Sequence, residues 1–189
     1  MLSVPPGAGP HPLICFLHGY DEAAPAPLQE ALTRHGPLRP GNPPSVADGF
    51  ILLAPQLPFA GDTWHRYAHD VHGLVETTLQ THGGDAGRVY LTGFSFGANG
   101  VFDLAHFERS TWAALWAVDP TRVPRRAFAQ PVWISIGEVA RHLKDSFIAA
   151  LPLNDKHICE DHGDDHVGAA RRAYADERIY SWLLRWRAA

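Results

Sequence analysis

The sequence predicts an α/β fold: a mostly parallel sheet with helices on both faces, forming a single domain over residues 1–189. Short apolar runs of strand length alternate with helical patterns about five times, which is typical of a sheet buried on both faces. The length of 189 residues, with 46% hydrophobic and 19% charged residues, suits one globular domain. A G-x-S-x-G run also stands between a predicted strand and a predicted helix.

Each element follows from apolar periodicity bounded by Gly, Pro or polar residues. The predicted strands are 11–17, 50–54, 88–92, 112–118 and 131–136. The predicted helices are 27–34, 65–81, 98–105, 141–151 and 169–186. Residues 37–44 are dense in Pro and Gly and are predicted to form a loop.

Ser95 lies at the tip of the predicted strand-to-helix turn, between Gly93 and Gly97. Glycine has no Cβ, so these two positions let the strand end and the helix start approach closely. A serine hydroxyl is a poor nucleophile unless it is held exposed beside a base. The pattern therefore predicts Ser95 as a catalytic nucleophile, with the amide of Phe96 directed at a developing oxyanion.

A second oxyanion donor is predicted in the turn after the first strand. This turn reads His18-Gly19-Tyr20, and its glycine allows a backbone amide to face inward. The amide of Tyr20, or alternatively that of Gly19, is predicted to act with the Phe96 amide.

The catalytic base is predicted to be a histidine late in the chain. Where the nucleophilic serine lies on a G-x-S-x-G turn between strand and helix, the catalytic residues follow in the order Ser, acid, His. The histidines after Ser95 are His106, His142, His157, His162 and His166. His106 lies about three turns down the helix that follows Ser95 and is too far away. His166 directly precedes the final predicted helix and is the preferred base, with His162 as the second choice.

Two carboxylates at strand ends compete for the role of the acid that orients the histidine. Asp119 follows the strand 112–118, and Glu138 follows the strand 131–136. Asp145 and Asp164 are weaker candidates. Asp119 also precedes a proline, so a simple turn role explains it too.

Aromatic residues near the serine predict an apolar acyl or aryl pocket. The set comprises Tyr20, Trp64, Phe94, Phe96 and Trp133. Gly19, Trp64 and Phe94 are predicted to contact substrate, whereas core packing explains Trp133 at least as well.

Composition and charge indicate which classes of binding partner to expect. The net charge of −4 without a basic tract argues against nucleic acid. No apolar run approaches the length of a membrane span, and the N-terminus lacks the cationic start of a secretory signal. A small-molecule ester, a cytoplasmic location and no membrane association are expected, and the oligomeric state stays open.

Polar residues between 157 and 166 raise the possibility of a metal site. They are His157, Cys159, His162, Asp164, Asp165 and His166. Their spacing matches no zinc pattern well, so neither a metal nor another cofactor is expected.

These motifs together resemble the phospholipase/carboxylesterase family of α/β-hydrolases, including feruloyl-esterase-like and predicted esterase/peptidase members. The resembling segments are 88–100, 16–20, 54–56 with Trp64, and His166 with 174–184. The resemblance covers residues 10 to 187. It implies a minimal α/β-hydrolase without a cap domain, with Ser95 as nucleophile, His166 as base, and the amides of Tyr20 and Phe96 as the oxyanion hole.

The sequence departs from this family at the acid. The family usually has an aspartate three residues after the glycine that ends the strand 131–136, and Ala140 occupies that position here. Asp119-Pro120 is similar to the acid position of the pancreatic-type lipases. Asp119 is therefore ranked first and Glu138 second.

The predicted function is a serine hydrolase that cleaves carboxylic ester or thioester bonds of small acyl or aryl substrates through an acyl-enzyme. One alternative is a peptidase or amidase that uses the same triad. A second alternative, from another class, is a non-catalytic binding protein on a decayed hydrolase fold, which the missing aspartate favours and the presence of Ser95 and His166 opposes.

Overall fold

The computed structural model describes residues 1–61, 63–107, 110–151 and 153–188. In this part of the chain the strands are β1 (Leu2–Ser3), β2 (His11–Leu17), β3 (Ile51–Leu53), β4 (Gly84–Phe94), β5 (Ala114–Val118), β6 (Val132–Ile136) and β7 (His157–Asp161). They form one sheet in the order β1-β3-β2-β4-β5-β6-β7. β1 pairs antiparallel with β3, and every other pair of neighbouring strands is parallel.

Helices connect the strands. The α-helices are α1 (Leu28–Arg34), α2 (Pro44–Gly49), α3 (Ala68–Thr81), α4 (Phe96–Phe107), α5 (Lys144–Ala150), α6 (His166–Ala175) and α7 (Glu177–Leu183). Within the described ranges, three short 3₁₀ helices cover Tyr20–Glu22, Trp64–Tyr67 and Arg141–Leu143. Among the described residues, the long connection from β6 to β7 carries only the last of these 3₁₀ helices and α5.

The sheet is covered by a hydrophobic core on each face. Side chains alternate along β2, so Leu13 and Cys15 enter one core and Ile14 and Phe16 enter the other. Helices α3, α4 and α5 pack on the first face, and α1, α2, α6 and α7 pack on the second. The predicted fold class is confirmed: a mostly parallel sheet with helices on both faces.

Several short elements differ from those that the sequence predicts. β1, α2 and β7 were not predicted, and the single helix predicted over 169–186 is instead the pair α6 and α7. Asp176 separates these two helices, because its side chain accepts a hydrogen bond from the amide of Arg178 and starts a new helix. The first of the two helices also begins earlier than predicted, so His166 is the first residue of α6 rather than part of a loop before it.

Two of the residues weighed as metal ligands, His157 and Cys159, lie in strand β7. His157 and Cys159 belong to this half-buried strand at the edge of the sheet, where polar side chains replace the continuous apolar run of a central strand. The described residues contain no group of three or more His, Cys, Asp or Glu side chains that could hold a metal ion.

The order of the strands reverses between β2 and β4. β3 lies beyond β2 on one side and β5 lies beyond β4 on the other, while Leu17 and Gly93 are register partners at the ends of the two central strands. Ligands of open α/β sheets bind at the carboxyl ends of strands around such a reversal. The turns after β2 and β4 therefore lie where a site is expected.

Candidate active site

Ser95 occupies a strained turn between β4 and α4. Its φ of 56° lies in the left-handed region, which residues other than glycine rarely adopt. The turn is held because the amide of Ser95 donates to Val118 O at 2.9 Å and the amide of Asn99 donates to Ser95 O at 3.2 Å. The surrounding structure thus maintains a conformation that places Ser95 at the carboxyl end of the central strand β4, where it lines a cavity.

The two flanking glycines are required by close backbone contact. A Cβ at Gly93 would overlap the backbone of Gly97, and a Cβ at Gly97 would overlap the carbonyl group of Leu17. The second contact presses the start of α4 against the end of β2. The turn at Ser95 and the turn after β2 therefore lie close together because Gly97 has no side chain.

A buried carboxylate lies behind His166. Asp119 is fully buried, and its Oδ2 lies 2.5 Å from His166 Nδ1. Its Oδ1 accepts hydrogen bonds from the amides of Gly137 at 2.9 Å and Ala140 at 2.8 Å, and Oδ2 accepts from the amide of Val139 at 3.3 Å. Because this carboxylate only accepts hydrogen bonds, Nδ1 of His166 carries the hydrogen and Nε2 is left as the basic nitrogen.

The structure distinguishes the two candidate acids by position. Glu138 is exposed on the turn after β6, whereas His166 Nδ1 faces Asp119. Asp119 itself adopts a φ of 44°, so its backbone is also in the left-handed region. Ala140, at the position where the resembling family has its aspartate, contributes its amide to Asp119 instead.

Ser95 and His166 line the same cavity, which has a volume of about 260 Å³. Phe94, Gly19 and Tyr20 also line it, and the Phe94 ring centroid lies 4.5 Å from that of His166. No hydrogen bond joins the Ser95 hydroxyl to His166 among the contacts of the described residues. Such contacts are often long in unliganded enzymes and shorten when substrate binds.

Of the two residues whose backbone amides are predicted to form an oxyanion hole, Tyr20 lines this cavity and Phe96 directly follows Ser95 in the chain. Tyr20 and Phe96 are each the first residue of a helix, where an amide has no acceptor within its own helix. Their rings pack edge to face with centroids 5.4 Å apart, so the two residues are neighbours. The alternative donor, Gly19, is already engaged, since its amide donates to Glu22 Oε2 at 2.7 Å.

His18 was not among the predicted site residues, yet it binds the turn that contains Gly19. Its Nδ1 donates to Gly19 O at 2.7 Å, and its Nε2 accepts from the amide of Leu57 at 2.9 Å. Burial lowers the pKa of His18, although the Gly19 carbonyl and the charge of Glu22 oppose this shift. A neutral His18 thus ties the turn after β2 to the segment after β3.

Trp64 was predicted to contact substrate, and the structure places it elsewhere. It is 1% exposed within the core, with its indole nitrogen donating to His18 O at 3.2 Å. Trp133 likewise packs in the core against Trp182. The second choice for the base, His162, lies at the surface beside Glu160. Trp64 and Trp133 were assigned to the pocket because of their residue type alone. Both instead pack in the core, where their large apolar surfaces are removed from water.

A larger cavity of about 650 Å³ lies away from these residues. It is lined by His65, Asp103, His106 and Arg122 among others, and it includes neither Ser95 nor His166. Volume alone is therefore no guide to the site in this protein, and the geometry around Ser95 identifies the candidate.

Comparison with solved structures supports the architecture. The chain is similar to a thermostable esterase with a TM-score of 0.71 and 20% identity, and the match covers 98% of this chain and 58% of the esterase. The chain has the α/β-hydrolase fold. It is also similar to an S-formylglutathione hydrolase from Agrobacterium tumefaciens, with a TM-score of 0.68 and 13% identity over 97% of this chain and 88% of that one.

The α/β-hydrolase fold is thus established by structure rather than by sequence similarity. No protein-family model and no curated protein matches the sequence. The chain spans less than two thirds of the length of the thermostable esterase, at 58% of it. Within the described residues, no helix combines the length and the apolar character needed to cross a bilayer.

Proposed function

We propose that this α/β-hydrolase-fold protein is a serine hydrolase that cleaves carboxylic ester or thioester bonds of small acyl or aryl substrates through an acyl-enzyme. One observation carries the proposal: Ser95, on its strained turn, shares a cavity with His166, whose Nδ1 is held by the buried Asp119 carboxylate. The proposed nucleophile, base and group that orients the base thus come from three separate segments of the chain.

The proposed reaction begins at His166 Nε2, which takes the proton from Ser95 Oγ as that oxygen attacks the substrate carbonyl carbon. The amides of Tyr20 and Phe96 donate to the oxyanion of the tetrahedral intermediate. Its collapse breaks the bond to the leaving alcohol or thiol, which receives the proton from His166. Water then attacks the acyl-enzyme with the same base, releasing the acid and restoring the Ser95 hydroxyl.

Asp119 has two roles in this scheme. Its hydrogen bond to Nδ1 at 2.5 Å keeps the imidazole in the tautomer that presents Nε2 as an acceptor. Its negative charge then stabilises the imidazolium that forms when the Ser95 proton is transferred.

The substrate class rests on the size of the cavity and on the two similar structures. A volume of about 260 Å³ lies just below the usual range for pockets that hold drug-sized ligands, which favours a short acyl or aryl group. The solved structures are named as an esterase and as an S-formylglutathione hydrolase. Ester and thioester cleavage is accordingly proposed for this chain ahead of amide cleavage.

The decisive experiment replaces the nucleophile. Ser95→Ala is expected to abolish hydrolysis of 4-nitrophenyl acetate and labelling by a fluorophosphonate probe, because both reactions require the Ser95 oxygen. Ser181→Ala, at an exposed position on α7, is the matched control and should retain the wild-type rate. Undiminished turnover in Ser95→Ala would exclude the proposed mechanism.

The same measurements separate the two alternatives. Parallel assays on an ester and on the amide of the same acid would show a peptidase or amidase as comparable turnover of both. A non-catalytic binding protein would stay unlabelled by the fluorophosphonate while remaining folded. The Asp119–His166 pair counts against a decayed site, because it supplies the orienting carboxylate that the Ala140 position lacks.

A further inference from the structure

A second carboxylate–imidazole pair lies beside the candidate site and has no part in the proposed reaction. Glu22 is 2% exposed, and its Oε1 accepts from His35 Nδ1 at 2.7 Å. Its Oε2 accepts from the amide of Gly19 at 2.7 Å. Glu22 and His35 both line the cavity that contains Ser95.

Glu22 and His18 bind the two peptide groups on either side of Gly19. The amide of Gly19 is bound by Glu22, and the carbonyl group of Gly19 accepts from His18 Nδ1 at 2.7 Å. The peptide units on both sides of Gly19 are therefore fixed. Because the peptide unit is planar and trans, holding the Gly19 carbonyl and the preceding amide also fixes the direction of the next amide, that of Tyr20.

Further contacts hold Glu22 in place. The His35 ring packs against the Phe94 ring at 4.7 Å between centroids, and the Phe94 ring also packs on His166. The backbone carbonyl of Glu22 accepts from the Gln56 side-chain amide at 3.0 Å. Glu22 is thus tied to the segment after β3 through Gln56 and, through His35, to Phe94 at the end of β4.

Burial distinguishes this contact from an ordinary helix cap. A glutamate at this position of a short helix can cap the preceding amide while its side chain stays in water. Here the carboxylate is almost entirely removed from water, which is costly unless each oxygen is paired. His35 supplies one partner and Gly19 the other.

We propose that Glu22 is a positioning residue of the oxyanion hole: it holds the Gly19 amide so that the Tyr20 amide faces the oxyanion, and His35 holds the Glu22 carboxylate. This inference rests on the proposed function, since it concerns the oxyanion of the same reaction. It also accounts for the use of Tyr20 rather than Gly19 as the second donor, because the Gly19 amide is committed to Glu22.

The test compares Glu22→Leu and Glu22→Gln with wild type in steady-state hydrolysis of 4-nitrophenyl acetate. Glu22→Leu removes the acceptor and is expected to lower kcat by about 10² to 10³, as loss of one oxyanion donor does, with KM within about threefold. Glu22→Gln retains a carbonyl oxygen for the Gly19 amide and should recover most of that loss. Glu30→Gln, an exposed carboxylate on α1, is the control and should leave kcat unchanged.

Two results would overturn the proposal: a wild-type kcat in folded Glu22→Leu, or equal losses in Glu22→Leu and Glu22→Gln. Circular dichroism and thermal melting establish folding. If Glu22→Leu does not fold, His35→Phe decides the question, because it keeps an aromatic ring against Phe94 but removes the donor to Glu22. An at least tenfold lower kcat with similar KM supports the proposal, and an unchanged kcat refutes it.

Ser95→Ala, measured in the same series, separates this inference from the proposed function. If the wild type turns over no faster than Ser95→Ala, the proposed function fails and this inference fails with it. If Ser95→Ala is inactive while folded Glu22→Leu keeps the wild-type kcat, only the role of Glu22 is refuted.

Discussion

At the scale of single residues, Asp119 is held in place by its backbone conformation and by four hydrogen-bond partners. Its carboxylate is fully buried, and its positive φ of 44° turns the chain directly after β5. Three backbone amides from the turn after β6 and the imidazole of His166 supply its hydrogen bonds. These hydrogen bonds satisfy both oxygens of the buried carboxylate, which offsets the cost of removing it from water.

Asp119→Asn is expected to lower kcat for 4-nitrophenyl acetate by about 10⁴, because an amide no longer holds His166 in the required tautomer. Glu138→Gln is the matched control, since Glu138 is exposed and stands at the other candidate strand end. Its kcat should stay within about twofold of wild type. The reverse ranking of the two variants would assign the acid to Glu138.

His18 predicts a pH dependence of stability. Its pKa is lowered in the folded protein by burial, while the unfolded chain has the ordinary value of about 6.5. Below about pH 6.5 the unfolded chain therefore binds a proton that the folded protein does not. The free energy of unfolding should fall as the pH falls from 6.5 towards the folded-state pKa, by at most about 1.4 kcal/mol per pH unit.

Chemical denaturation at pH 5 to 7 would measure this effect. His18→Gln can still accept from the Leu57 amide but does not titrate, so its stability should depend less on pH across this range than that of wild type. His82→Gln changes an exposed histidine and should keep the wild-type dependence. An unaltered slope in His18→Gln would show that another group is responsible.

At the scale of elements, Arg141 connects the turn after β6, whose amides bind Asp119, to the segment just before His166. Its guanidinium pairs with Asp161 at 3.1 Å and donates to Asp164 O at 2.8 Å, just before α6 begins at His166. Arg141 itself directly follows Ala140, whose amide binds Asp119. The hydrogen bonds from Arg141 also lower the pKa of Asp161.

Arg141→Met is expected to lower kcat by about 10- to 100-fold with little change in KM, because a small displacement of His166 relative to Ser95 impairs proton transfer. Arg171→Met is the control, as Arg171 is an exposed arginine on α6 itself. Steady-state kinetics of both variants on 4-nitrophenyl acetate would test this. Equal activity of the two would show that α6 holds His166 without Arg141.

At the scale of the whole molecule, the cavity lies at the reversal of strand order and is small. With about 260 Å³ around Ser95, the protein should prefer short acyl groups. In a series of 4-nitrophenyl esters, kcat/KM is expected to be highest for acetate and butyrate and to fall for octanoate and palmitate. Preference for palmitate would show that long chains bind along a surface outside this cavity.

Much of the architecture could be predicted because its signals are local. The apolar run 11–17 matches β2, and the glycines around Ser95 indicated the turn that the structure contains. Edge strand β7 was missed because half-burial leaves no continuous apolar run. The contact between Glu22 and Gly19 could have been predicted, because a glutamate three residues after Gly19 fits a helix-capping pattern. That pattern does not predict the contact between Glu22 and His35.

By itself the sequence determined the fold class, the strand-to-helix turn at Ser95 and a short set of candidate histidines and carboxylates. Only the tertiary structure decided which carboxylate meets His166, because Asp119 is 47 residues away along the chain and the sheet brings them together. It also decided that Trp64 is buried and that Glu22 holds Gly19. Periodicity and turn chemistry act over a few residues, whereas burial and hydrogen bonding of charged groups depend on the packing of distant segments.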